Sequence, residues 1–101
     1  GVAEVSSYTA TNVDDGDPTI IGVQRGSTGG GFIIVEGDDG GGGNRFTDIL
    51  IMVRGQQPTT VSGSDQGSPG TRTYSATNGD IKLVMGAAVS LQTRTLILSL
   101  T

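Results

Sequence analysis

The chain has no cysteine, histidine or tryptophan, and its only aromatic residues are Tyr8, Phe32, Phe46 and Tyr74. Without cysteine there is no disulfide to brace the fold. Without cysteine and histidine the common zinc, iron and copper ligand sets are missing. The serine triad and cysteine–histidine nucleophiles are missing for the same reason. Positive charge is also scarce: six Lys and Arg, dispersed along a chain of net charge −4, offer no clustered face for neutralising phosphates. Nucleic-acid binding is therefore not expected. No apolar run approaches the roughly 20 residues of a membrane helix, and no charged-then-apolar signal segment opens the chain. We expect a soluble chain with no membrane insertion, either processed or cut from a longer polypeptide.

Glycine, serine and threonine are abundant: 18, 9 and 13 of the 101 residues. That bias suits short strands joined by many turns, and the helix formers are scarce. With 34% apolar residues the core must be thin and built from Val, Ile and Leu. Small cores gain stability from disulfides, metals or subunit contacts. Here oligomerisation or a hard cation such as calcium remains.

Length and uniform composition indicate one domain over residues 1–101. Apolar runs of three to six residues, bounded by Gly, Asp, Asn or Pro, predict strands near Val2–Ala10, Thr19–Arg25, Gly31–Glu36 and Thr47–Arg54. Four more are expected near Thr59–Ser62, Thr71–Ala76, Asp80–Met85 and Thr93–Leu100. No window supports a helix, and Met85–Leu91 reads as a turn or loop. The expected fold class is all-β, an antiparallel β-sandwich of about eight short strands, with a jelly roll among its candidate topologies.

Asn78-Gly79 is the clearest local signal, because both central residues of a type I′ turn need positive φ. It sets Ala76 opposite Ile81 and Tyr74 opposite Leu83 on one apolar face, with Ser75 and Lys82 on the other. The run Ile49-Leu50-Ile51-Met52-Val53 does not alternate. It predicts either a strand between two layers or one whose second face lies in a subunit interface. In the last strand Leu96, Leu98 and Leu100 share one face, and Thr95, Ile97 and Ser99 the other.

The carboxylates are Glu4, Asp14, Asp15, Asp17, Glu36, Asp38, Asp39, Asp48, Asp65 and Asp80. A glycosidase needs two of them across a cleft. The chain lacks the aromatic platforms such clefts usually have, so we expect no enzyme. Asp14, Asp15 and Asp17 gather three hard oxygen donors in four residues, a candidate calcium site that does not match EF-hand spacing. A solvated acidic turn is the plainer reading. In the glycine-rich segment from Glu36 to Arg45, Asp38, Asp39, Asn44 and Arg45 could hydrogen-bond sugar hydroxyls, with Phe46 as the one ring able to stack on a ligand. A flexible hairpin connection is the favoured reading there, because glycine runs are intrinsically entropic. No Lys-Ser/Thr follows the glycines, so a phosphate cradle is not expected. Tyr74 reads as a core residue with its hydroxyl at the rim. Arg25, Arg54 and Arg94 read as caps at strand ends.

The run Thr71-Arg72-Thr73-Tyr74-Ser75-Ala76-Thr77-Asn78-Gly79-Asp80-Ile81-Lys82-Leu83-Val84-Met85, followed by an apolar last strand, resembles the closing hairpin of C-terminal β domains on bacteriophage tail fibres and tailspikes. Thr19–Val35 and Phe46–Arg54 are similar to those domains in style. The resemblance implies a trimeric virion module that caps a fibre, decorates a capsid or contacts a host-surface glycan.

The expectation is thus a non-catalytic structural and attachment module of a virion or extracellular appendage. It would be a homo-oligomer, with three copies favoured, and its loops would carry recognition of a host glycan or another virion protein. A carbohydrate-binding module, calcium-assisted or not, is the alternative, weakened by the shortage of Trp and Tyr. An adhesin-type stalk domain would predict repeats, and none is visible.

Overall fold

The computed structural model describes residues 3–23, 30–53, 55–86 and 90–100. Its strands are β1 (Ala3–Val13), β2 (Thr19–Val23), β3 (Gly31–Asp38), β4 (Arg45–Met52), β5 (Thr59–Gln66), β6 (Arg72–Thr77), β7 (Asp80–Met85) and β8 (Leu91–Leu100). Among the described residues there is no helix. The strands form two packed antiparallel sheets, β1-β8-β3-β4-β5 and β2-β7-β6, so the chain is an all-β sandwich. Pairing of the first strand with the last, and of the second with the seventh, wraps the chain as a jelly roll does. The β3-β4-β5 meander and the β6-β7 hairpin replace the rest of that topology.

Local chemistry accounts for the β6-β7 hairpin. Asn78 and Gly79 both take positive φ, 52° and 87°. Thr77 pairs with Asp80, Ala76 with Ile81 and Tyr74 with Leu83, the register that turn and alternation require. Ile81 and Leu83 are fully buried, with Tyr74 and Ala76 packed against the core beside them.

Other strands run past their expected ends. β1 continues to Val13 through a bulge after Ala10, where Asn12 has φ 57°. β5 runs to Gln66 because its pairing with β4 continues to Arg45, although every residue of β5 is exposed. β8 begins at Leu91, so Arg94 lies inside a central strand rather than capping an end. Arg25, Arg54 and residues 87–89 of the Met85–Leu91 segment lie outside the described residues.

The core lies between the sheets. Ile33, Val35, Leu50 and Ile97 of the larger sheet meet Ile21, Ile81, Leu83 and Met85 of the smaller. Burial of this apolar area is the main favourable term in folding. β8 departs from that pattern. Leu91, Thr93, Thr95, Ile97 and Ser99 face inward, while Leu96, Leu98 and Leu100 face out. Among the described residues the buried hydroxyls of Thr93, Thr95 and Ser99 have no hydrogen-bond partner.

Candidate functional site

The outward face of the five-stranded sheet is a grid whose rows follow from the register, because directly paired residues point the same way. One row is Val5, Leu98, Phe32 and Ile51 on β1, β8, β3 and β4. The next is Ser7, Leu96, Ile34 and Ile49 on the same strands. Leu100 extends the patch beyond the first row. Val5 is 64% exposed, Phe32 42%, Ile51 47%, Leu96 46%, Leu98 37% and Leu100 53%. A contiguous apolar surface thus crosses four strands. The unalternating run at Ile49 is explained in the same way: Leu50 and Met52 enter the core while Ile51 and Val53 are exposed. Among the described residues no layer of the chain covers its second face.

The following rows are polar. Thr9, Arg94, Glu36 and Thr47 form one, and Gln92, Asp38 and Arg45 the other. Arg94 and Glu36 form an exposed ion pair at 3.7 Å. The two cations and two anions of these rows cancel, so this face carries none of the chain's −4 excess.

A second feature lies where the two sheets gape, between edge strands β5 and β6. A cleft of about 620 Å³ there is lined by Asp48, Thr60, Asp65, Ser68, Arg72 and Tyr74, among others. Arg72 donates from Nε to Asp48 Oδ2 and from Nη2 to Asp48 Oδ1, both at 2.8 Å. It also donates to Asp65 Oδ1 at 2.6 Å and to the Gly70 carbonyl at 2.8 Å. Tyr74 donates its hydroxyl to Asp48 Oδ2 at 2.5 Å. The bonds to Asp48 and Asp65 hold the guanidinium charged and push its pKa up against the cost of burial. Burial, reinforced by the bond to Asp48, pushes the Tyr74 phenol up. The Arg72 bond holds the Asp65 carboxyl below its usual range. Gly63, opposite Asp48, has no side chain for a structural reason: a Cβ there would lie 2.5 Å from Asp48 Oδ1.

The glycine-rich loop closes the β3-β4 hairpin, and its polar groups are turned on the loop itself. Asp39 Oδ1 accepts from the amides of Gly41 and Gly42, and Oδ2 accepts from Asn44 Nδ2. Desolvation raises the Asp39 carboxyl, but these bonds outweigh it and hold the pKa below the usual range. Asn44 Oδ1 accepts from the Ser68 amide, tying the loop to the connection between β5 and β6. Asp38 accepts from the Gly40 amide, and Arg45 is exposed. Phe46 corrects the expectation of a stacking ring. It is 2% exposed, lies against Gly37, and is covered by the Arg72 guanidinium 4.4 Å from its centroid. Its position on the inward parity of β4 puts it in the core.

The acidic turn does not assemble as a calcium site. Asp14 Oδ1 accepts from the Gly16 amide, and among the described residues no three acidic side chains converge to hold a metal, so Asp14, Asp15 and Asp17 are not brought together. The turn does share one end of the sandwich with the glycine-rich loop. Asn12, Asp39, Gly40 and Gln92 border a depression of about 240 Å³ there.

Sequence reasoning missed the Asp48–Arg72–Tyr74 cluster. Its signal was present: Asp48 has the same parity as Phe46 and Leu50, which puts a carboxylate among core-facing residues. Comparison with known proteins finds no family model that matches this chain, and no matching curated protein or solved structure.

Proposed function

We propose that the chain is a non-catalytic structural and attachment module, a building block of a virion appendage or comparable extracellular assembly. The observation that carries this reading is the apolar outward face of the five-stranded sheet. Six apolar side chains on four neighbouring strands, Val5, Phe32, Ile51, Leu96, Leu98 and Leu100, are exposed together in one patch, and contiguous apolar patches of this kind are often functional. A face of that kind marks a surface that works when covered. The carboxylates of the cleft between β5 and β6 support the non-catalytic part. Asp48 and Asp65 are both engaged by Arg72 and are not poised as a free acid and base. The loop end bordered by Asn12, Asp39 and Gly40 supports recognition beside assembly, since polar loops on a rigid β scaffold are common binding surfaces.

The test is the double substitution Phe32→Ser/Leu98→Ser, unfolded in urea at high dilution. A combined loss of no more than about 2 kcal/mol, from the partly covered area and one cross-strand pair, is expected if the face is surplus to the fold. A loss of about 2–5 kcal/mol per residue, the cost of deleting a core side chain, would make the face part of the fold and remove the reading.

A further inference from the structure

We infer that the occupant of the apolar face is a second copy of this chain, docked sheet against sheet. The inference takes the assembly role as given and names its partner.

Three observations favour an identical copy over a different protein. The first is extent. The apolar rows cross four strands, β1, β8, β3 and β4, and the polar rows continue the same face, so two copies can cover each other over the breadth of a sheet rather than at a single side chain. The second is charge. The chain is net negative, and two copies approaching through an acidic surface would repel. On this face Arg94 and Arg45 balance Glu36 and Asp38, so it can meet its own image without a net field. Those charges sit together at one end of the grid, while the rows of Val5, Leu98 and Phe32 and of Leu96, Ile34 and Ile49 fill the other.

The third is shape and side-chain choice. A sheet face whose rows carry Val, Ile, Leu and Phe at period two matches the inner face of another sheet, and such faces interdigitate about 10 Å apart. β8 shows the bias most clearly. Its inward parity holds Thr93, Thr95 and Ser99, whose hydroxyls are unpartnered among the described residues, while its outward parity holds Leu96, Leu98 and Leu100. From Leu96 onward all three leucines of the strand lie on the face the isolated chain leaves in water, opposite Ile97 and Ser99. Phe32 and Leu98, paired at the centre of their row, are the anchors.

Native mass measurement and light scattering at micromolar concentration, on the parent chain and on Leu98→Lys and Phe32→Lys, test the inference. The parent is expected to weigh at least two chains. Each lysine variant is expected to weigh one chain, retain its β-sheet spectrum, and dissociate about 100-fold more readily, as loss of a buried anchor implies. Thr73→Lys, on the small sheet and off the face, should leave the mass unchanged. A multimer indifferent to both face variants would overturn the inference, as would a parent chain monomeric under these conditions. In the monomeric case the stability of Phe32→Ser/Leu98→Ser separates the two failures. A small loss leaves an assembly face with another partner, whereas a core-sized loss ends the assembly reading as well.

Discussion

Asp48 in β4 and Arg72 in β6 are joined by two hydrogen bonds of 2.8 Å, Nε to Oδ2 and Nη2 to Oδ1, across the gap between the sheets. Both side chains are nearly buried, 4% and 10% exposed. Removing Arg72 leaves the buried Asp48 carboxylate without its counter-charge, with the Tyr74 hydroxyl still donating to it. Arg72→Met should therefore lower unfolding stability in urea by about 3 kcal/mol. Asp48→Leu/Arg72→Met should lower it much less than the two single changes combined, because no orphan charge remains. Additive losses would show that the pair is not a coupled unit.

Stability should have an acid and an alkaline limb. Asp39 and Asp65 have carboxyl pKa values held down in the folded chain. Their contribution is fully present above the unfolded value of about 3.9 and is lost as pH falls through the folded values. Tyr74 is pushed the other way, chiefly by burial. Its contribution is fully present below the unfolded value of about 10 and fades as pH rises above it. Thermal midpoints from pH 3 to 11, a range spanning both limbs, should form a plateau between these limits. Tyr74→Phe should flatten the alkaline side. An alkaline limb unchanged in that variant would assign it to other groups.

Thr93 and Thr95 are buried, and among the described residues their hydroxyls have no hydrogen-bond partner. Thr93→Val and Thr95→Val replace each hydroxyl with a methyl group of similar size. Each should raise stability by roughly 1 kcal/mol, since an unpaired buried hydroxyl carries its desolvation cost without return. Chemical denaturation midpoints below the parent's would show that these hydroxyls have partners.

Gly79, at φ 87°, sits where a β-branched side chain is strained. Gly79→Val should cost about 1–2 kcal/mol, read as a lowered thermal midpoint. A neutral result would mean that the turn relaxes into another type.

The β6-β7 hairpin was legible because two local signals, Asn78-Gly79 and the alternation from Tyr74 to Leu83, demand the same register. β5 was half hidden. From Ser62 to Gln66 it is polar and exposed, and only its long-range pairing with β4 makes it a strand. The orientation of β8 was hidden for a different reason: Ile97 on one parity and three leucines on the other leave both faces plausible until the second sheet chooses one. The loop residues Asp39 and Asn44 were found as polar groups among glycines, but their use in holding the loop together depends on turn geometry and on Ser68, 24 residues away. Phe46 misled because its neighbours in sequence are loop residues while its parity belongs to the core.

Gln57 has a consequence for the fate of the sheet edges. Its carboxamide donates to the Ala76 carbonyl at 3.1 Å and accepts from the Ala76 amide at 2.9 Å, on the side of β6 away from β7. One side chain thus occupies the two main-chain groups that an incoming strand would use first. Bare edges of this kind are where sheets of separate molecules fuse into fibrils. The amide stops that edge against strand-to-strand growth at Ala76.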